Sequence, residues 1–178
     1  MARSKPAAKD AIALLKADHR QVEEWFEQFE KARDDERKQE LARKICNALK
    51  VHTTIEEEIF YPAFLEASDD VDIHHEAEIE HRGAKNLISE IEACSPDDEY
   101  FEPTEKVLSE MIKHHVKEEE KPGGMFSVAR ESKMDLVTLG EELAARKAEL
   151  ESGDGETDMP PPGVGERGKV DRLMKETR

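Results

Sequence analysis

Two histidine–glutamate pairs at helical spacing most restrict how this chain can fold. His52 and Glu56 form the first pair, and His115 and Glu119 form the second pair later in the chain. Residues four positions apart lie on the same face of a helix, one turn apart. Each pair also falls on the apolar side of its predicted helix, so both pairs are expected to face one core.

A single histidine precedes each pair, on a helix of its own. His19 fills one place in the apolar stripe of the first predicted helix, and His81 lies on the stripe of the third, between Ala77 and Ala84. Polar and charged groups that face a core are costly unless something compensates them. Imidazole nitrogens and carboxylate oxygens that project inward from four helices favour a transition metal, with iron or manganese as the expected occupant.

The other histidines fit such a site less well. His114 with Glu118 forms an overlapping pair, but this pair lies at the edge of the apolar side of its helix. His75 points away from the core, and His74 lies about 10 Å along the helix axis from His81.

Each motif taken alone has an ordinary explanation. A histidine on an apolar face is usually a core residue with a hydrogen-bond partner, and a lone histidine–glutamate pair usually lies on the surface. The rival interpretation is therefore an acidic helical bundle with buried polar networks. The combination of two inward pairs and two inward histidines favours metal binding over this alternative.

The apolar pattern predicts an all-α protein, an up-down-up-down antiparallel four-helix bundle with an additional C-terminal helix and a disordered tail. We expect a flexible N-terminal segment over residues 1–9 and the metal-binding bundle over 10–150, with its extra helix at about 125–150. Residues 151–178 contain glycine and proline clusters and are expected to form the disordered tail.

The expected bundle helices begin near Asp10, run from about 37 to 67, cover 71–93, and begin after Pro103 with Thr104 as a cap. Pro62 lies inside the second of them and should kink it. Glu57 and Glu58 are expected to turn away from the apolar side of that helix.

Composition narrows the partners and the compartment. The net charge of −16 argues against nucleic acid and against anionic membrane surfaces as partners. Cys46 and Cys94 have neither zinc spacing nor the density of a disulfide framework, so free thiols are expected. No apolar run suggests a signal peptide or reaches the roughly 18 residues that span a bilayer, so we predict a soluble cytoplasmic protein.

At these motifs the sequence resembles the hemerythrin-like, or HHE cation-binding, family. The resemblance covers about residues 10–130, and the stretches that carry it are 14–20, 52–62, 77–82 and 115–120. It implies a non-haem di-iron centre inside the bundle, with two iron ions joined by an oxo or hydroxo bridge and with manganese as the alternative metal.

The resemblance also implies a role for each motif residue. The implied terminal ligands are His19, His52, His81 and His115, and the implied bridging carboxylates are Glu56 and Glu119.

The third helix departs from the pattern of oxygen-carrying family members, which place two histidines four residues apart there. Ala77 precedes His81 by four residues and Lys85 follows it by four, so one iron lacks a histidine. Glu78, His74 or water are the candidates for that position. An open position favours binding of an exogenous small molecule over simple oxygen carriage.

We therefore predict a non-haem di-iron protein that binds or senses oxygen or a related small oxidant. One alternative is a di-iron enzyme that acts on peroxide or nitric oxide, and another is an iron storage, delivery or iron-centre repair protein. Whether the protein is an enzyme stays open at this point. Since no output domain is evident, a sensing role predicts a protein partner at the C-terminal region.

Overall fold

The computed structural model describes residues 10–153, which are almost entirely helical and contain no strand. The elements are α1 (Ala11–Lys31), α2 (Asp35–Ile55), a π-helical segment (Glu56–Phe60), α3 (Tyr61–Ser68), α4 (Val71–Ala93), α5 (Phe101–Glu120), α6 (Met125–Glu131) and α7 (Leu136–Ser152). The predicted up-down-up-down bundle has four members. They are α1, then the continuous helical rod of residues 35–68 that joins α2, the π-helical segment and α3, then α4, and finally α5. The flexible segment predicted for 1–9 and nearly all of the tail predicted for 151–178 lie outside the described residues.

Aspartate side chains set the start of several helices. Asp10 accepts a hydrogen bond from the backbone N–H of Ala13 at 2.8 Å, and Asp34 and Asp70 cap α2 and α4 in the same way. An aspartate at this position satisfies an N–H that has no partner within the helix. The connection between α1 and α2 is therefore short, and it turns the chain back on itself.

Two helix boundaries differ from the sequence expectation. The fourth bundle helix begins at Phe101 and not after Pro103, because a proline in the first turn lacks only an N–H that would be unpaired anyway. The extra helix expected at about 125–150 is two helices, α6 and α7. The break precedes Asp135, which accepts a hydrogen bond from the N–H of Thr138 at 3.1 Å and so starts a new helix.

The kink expected at Pro62 takes the form of the π-helical segment Glu56–Phe60. Pro62 has no N–H, and its ring would crowd the carbonyl of the residue four positions earlier in a regular α-helix. The wider turn before it relieves this conflict, and the N–H of Tyr61 donates to the carbonyl of Glu56 five residues earlier. The segment therefore turns Tyr61 onto the side of the rod that carries Glu56.

The bundle core consists of two apolar clusters. The cluster that we call the Phe26 core includes Phe26, Phe29, Leu41, Ile45, Ile88, Leu108 and Ile112. The cluster that we call the Phe60 core includes Leu15, Ile55, Phe60, Tyr61, Phe64, Met125, Phe126 and Leu143. Along α1, His19 lies between Leu15 of one cluster and Val22 of the other, so a polar layer separates them.

The Phe26 core contains one acid that sequence periodicity did not identify. Glu105 of α5 is 1% exposed, and neither of its carboxylate oxygens has a hydrogen-bond partner within residues 10–153. Burial raises the pKa of Glu105 to about 8. The folded protein therefore holds this carboxyl in its neutral form at pH values where an unfolded chain ionises it.

Replacing Glu105 with leucine is expected to stabilise the fold, and more strongly at higher pH. A raised pKa means that stability is lost as pH rises from the ordinary carboxyl range toward about 8. At pH 8.5 we expect Glu105→Leu to increase the free energy of unfolding by about 2–4 kcal/mol, with a smaller increase at pH 5. Urea unfolding at the two pH values measures this. Glu110→Leu, an exposed change on the same helix, is the control, and a gain that does not change with pH would contradict the assignment.

Candidate metal centre

Six buried polar side chains meet in the layer between the two core clusters. They are His19 of α1, His52 of α2, Glu56 at the start of the π-helical segment, His81 of α4, and His115 and Glu119 of α5, and each is at most 5% exposed. The structure thus brings together all six residues that the sequence singled out as the main candidate ligands.

The four histidines form two facing pairs. The Nε2 atoms of His19 and His52 lie 3.1 Å apart, and those of His81 and His115 lie 3.2 Å apart. Each pair joins neighbouring helices of the bundle. The site therefore has two halves, each built around one pair of imidazole nitrogens.

A closed ring of acids surrounds the histidines, and each acid comes from a neighbouring helix. The Nδ1 distances are 2.8 Å from His19 to Glu120, 3.5 Å from His52 to Asp18, 3.0 Å from His81 to Glu57, and 2.6 Å from His115 to Glu80. A carboxylate can only accept, so each Nδ1 carries a proton, and each Nε2 is the ring atom left to bind a metal ion or a second proton. Two facing lone pairs repel each other unless a proton or a metal ion lies between them.

The apolar pattern of the helices does not predict these four acids, although the sequence carries a signal for them. Asp18, Glu57, Glu80 and Glu120 each stand next in sequence to one of the six central residues. A helix turns about 100° per residue, so the neighbour of an inward residue reaches toward the adjacent helix. Glu57 was expected to turn away from the core, but it lies against His81, because the residue next to the inward Glu56 is turned toward the neighbouring helix α4.

Three acids of the ring, Asp18, Glu57 and Glu120, are themselves held by lysine or arginine side chains. Lys85 donates to Glu57 at 2.7 Å, and Arg20 donates to Glu120. Lys147 of α7 donates to Asp18, and the neighbouring Arg146 donates to Glu58 at 2.7 and 3.1 Å. The helix α7 therefore contacts the site from outside at two places.

Each central glutamate lies between the two histidine pairs. Glu56 Oε2 is 3.2 Å from His52 Nε2 and 3.3 Å from His81 Nε2. Glu119 Oε2 is 3.4 Å from His19 Nε2, and its Oε1 is 3.5 Å from His115 Nε2. Glu56 Oε1 and Glu119 Oε2 are buried and have no hydrogen-bond partner in the described part of the chain. Unpaired buried carboxylate oxygens beside imidazole lone pairs are the donor set that a transition metal uses.

Without a metal, protons must balance these charges. Burial opposes a charge on His52, but the carboxylates of Glu56 and Asp18 raise its pKa to about 10. Burial lowers the pKa of His19 to about 4. Burial and then the charge of Glu56 raise the pKa of Glu119 to about 8. A metal ion would displace these protons, so we expect binding to weaken at acid pH.

Tyr61 is the central residue that the sequence analysis missed. Its hydroxyl lies 3.0 Å from His81 Nε2, 3.3 Å from Glu119 Oε1 and 3.4 Å from Glu56 Oε2. Burial and the nearby carboxylates raise the pKa of Tyr61 well above its usual range, so the hydroxyl keeps its proton and donates it. In a regular α-helix, Tyr61 would lie about 140° around the axis from Glu56, and only the π-helical segment brings it to the site.

The two less central candidates lie elsewhere. His74 Nε2 is 3.6 Å from Glu78 Oε1, and with His75 these residues form a separate group near the surface that could hold a metal ion. The ring of His74 packs edge-on against that of Tyr61, with centroids 5.5 Å apart. In the described residues, no hydrogen bond or ion pair joins His74 or Glu78 to the six central side chains.

A small cavity leads from the surface to the second half of the site. Its volume is about 130 Å³, and its lining includes Ala77, Glu80, His115, Glu119 and Gly124. Ala77 is the residue that stands four positions before His81 on α4. A small side chain at this position therefore leaves open space beside two of the candidate ligands.

Comparison with known proteins identifies the family. The family model for the hemerythrin HHE cation-binding domain matches residues 10–122, which include all six central residues. The chain belongs to this family. A solved structure of a hemerythrin HHE cation-binding domain-containing protein from Mycobacterium kansasii matches 82% of the chain and 89% of its own length, with a TM-score of 0.69. At 23% identity, this match shows a shared fold.

A curated relative matches part of the chain. The chain is 27% identical over 110 residues to a DNA nickase of Nostoc sp., a match that covers 60% of this chain. The chain spans only 30% of the length of that relative. In the described part of the HHE protein, no helix is long and apolar enough to cross a membrane.

Adjacent glutamates on α5 allow a matched test of the site. Glu119→Gln is expected to reduce metal bound per chain after dialysis to less than half, since an amide is a weaker ligand and carries no charge. Glu118→Gln, next in sequence but paired with Lys121 outside the central group, is expected to keep full metal content. Metal analysis with circular dichroism, to confirm folding, measures both. Equal metal content in the two variants would rule out a ligand role for Glu119.

Proposed function

We propose that this HHE protein is a non-haem di-iron protein that binds or senses oxygen or a related small oxidant. The observation that carries the proposal is the twofold character of the site. The Nε2 atoms face each other within each of the two histidine pairs. Each of the two central glutamates contacts one histidine of each pair. This is the arrangement expected for two metal ions with carboxylates between them.

Under this proposal, one ion is held by His19 and His52 and the other by His81 and His115, with Glu56 and Glu119 contributing to both. Two groups of three side chains have possible ligand atoms that all lie within 4.8 Å of one another. The first group is His19, His52 and Glu56, and the second is His81, His115 and Glu56. Mixed imidazole and carboxylate donors suit iron, and manganese is the alternative. Iron would supply a change of oxidation state and an affinity for small oxygen-containing ligands.

We propose further that Tyr61 occupies the position left without a histidine on α4. Its hydroxyl is the oxygen nearest to His81 Nε2 among the contacts described above, and it also reaches both central glutamates. Neither His74 nor Glu78 makes such contacts in the described residues. The tyrosine would thus give the second half of the site an oxygen ligand to the metal, where oxygen-carrying relatives have a histidine nitrogen.

The cavity beside Ala77 supports binding of a small molecule. About 130 Å³ is enough for a diatomic gas or peroxide and too small for a large organic substrate. It reaches His115 and Glu119, which belong to the same half of the site as Tyr61. The proposed ligand would therefore enter at the half of the site that departs from the oxygen-carrying pattern.

A di-iron enzyme that acts on peroxide or nitric oxide is the second candidate, and Tyr61 is the observation that favours it. Turnover of such ligands needs a proton donor close to the reacting atoms. The Tyr61 hydroxyl is buried, keeps its proton, and lies 3.3 Å from Oε1 of Glu119, a residue that lines the entry cavity. Peroxide decomposition or anaerobic nitric oxide consumption above the rate of free iron would establish this candidate.

The proposed di-iron function is tested by loading the protein with iron and measuring its metal content and optical spectrum. About two irons per chain are expected, with charge-transfer absorption from a bridged ferric pair. Tyr61→Phe is expected to keep the iron and to change the visible spectrum, because it removes one oxygen donor. One iron per chain, or none, in the unaltered protein would eliminate the proposal.

Narrowing the cavity is expected to hinder ligand binding without removing metal. Ala77→Leu fills space beside His115 and Glu119, so the rate of azide or nitric oxide binding to the iron-loaded protein should fall about tenfold or more. Ala93→Leu, an exposed change on the same helix, is the control and should leave the rate unchanged. Stopped-flow absorbance measures the rates. Equal rates in both variants would mean that ligands use another path.

A further inference from the structure

Two polar side chains without partners lie together in the Phe26 core, away from the metal centre. Glu105 is 1% exposed and Ser109, one helical turn later, is 3% exposed. Both oxygens of Glu105 and the hydroxyl of Ser109 lack a hydrogen-bond partner within residues 10–153. Glu105 lies ten residues before His115, about 15 Å along α5, so a metal at the central site does not pair with it.

A cavity of about 710 Å³ opens beside these residues, between α1 and α5. Phe26 and Phe29 line it from α1, and Pro103, Glu105 and Ser109 line it from α5. Sites for small organic ligands have volumes in this range and combine apolar walls with a few polar groups. The cavity therefore has the size and the lining of a ligand site.

The charges around the cavity select the sign of the ligand. Glu30 and Glu102 line it together with Glu105, and Lys106 is the one cation among the described lining residues. Lys113 pairs with Glu30 and Lys38 pairs with Glu102, so Glu105 is the lining carboxyl that is left for a cation. An organic anion would be repelled, and a metal ion would be poorly served by the phenylalanine walls. An ammonium group supplies both the positive charge and the hydrogen-bond donors that Glu105 and Ser109 lack.

We propose that this cavity binds a small primary amine with an apolar body. The ammonium group pairs with Glu105 and donates to Ser109, and the body packs against Phe26 and Phe29. The proposal explains why the core retains an acid that costs stability, since functional sites often keep groups that weaken the fold.

The state of Glu105 before binding agrees with this role. Burial raises its pKa to about 8, so the carboxyl is neutral near pH 7 when no cation is near. Burial raises the pKa of the Cys46 thiol on α2, so no thiolate competes for the ligand. The amine would pair with the ionised carboxylate, and the proton of Glu105 would be released to solvent.

The test uses the full chain, loaded with metal, and three probes of similar shape. Phenethylamine, 2-phenylethanol and 3-phenylpropionate carry a cation, a neutral hydroxyl and an anion on the same aromatic body. Phenethylamine is expected to bind about tenfold to a hundredfold more tightly than the alcohol, and the carboxylate is expected not to bind. Calorimetry gives the affinities, and NMR of labelled phenylalanine locates the site at Phe26 and Phe29.

Variants separate the role of Glu105 from a general attraction of cations to an acidic protein. Glu105→Gln keeps the shape and is expected to fold, but to lose at least about tenfold in affinity for phenethylamine. Glu110→Gln removes an exposed charge from the same helix and should bind phenethylamine normally. Metal content should be unchanged in both. The proposal is overturned if phenethylamine does not saturate, if the alcohol binds equally well, or if Glu105→Gln binds like the unaltered protein.

Discussion

Repulsion between facing imidazole lone pairs is the constraint on which the centre of this structure depends. Four Nδ1 atoms donate outward to carboxylates, so the four Nε2 atoms point inward, where they meet two glutamates in a buried layer. Such a layer is stable only with cations or protons inside it. The ring of acids holds this layer in place, because each acid accepts a hydrogen bond from a histidine on a neighbouring helix. The bundle helices are thereby joined in a circle around the charge, and the two apolar cores stabilise the layer from either side.

The two halves of the centre are not equivalent, and the difference arises from one irregular turn. In one half, His19 and His52 both lie on regular α-helices. The half with His81 and His115 has alanine at the position of a family histidine, an entry cavity next to it, and the hydroxyl of Tyr61 against its donors. The π-helical segment delivers that hydroxyl, and Pro62 favours the segment. The chemistry of the site is therefore expected to be concentrated in one half, while the other half serves to anchor.

Sequence periodicity could find the residues that lie on regular helices and miss those that depend on how helices are rotated against one another. The placement of His19, His52, His81 and His115 on apolar stripes was sufficient to predict that they meet. The partners of their outer nitrogens depend on interhelical geometry, which 100° per residue does not provide. Tyr61 was missed because a π-helical turn changes that phase. Glu105, unlike Glu56 and Glu119, has no histidine four positions before it to mark a buried acid, although its spacing from Phe101, Leu108 and Ile112 matches the buried face of α5.

The contact between Lys147 and Asp18 bears on where the functional unit ends. The family match stops at residue 122, yet α7 lies beyond it and holds the acid that orients His52. Arg146 next to it holds Glu58, on the same irregular segment that presents Tyr61. A fragment trimmed to residues 10–122 would contain all six central side chains, but Asp18 beside His52 would lose Lys147, and Glu58 would lose Arg146. The centre is therefore supported by α7, which lies beyond the matched domain.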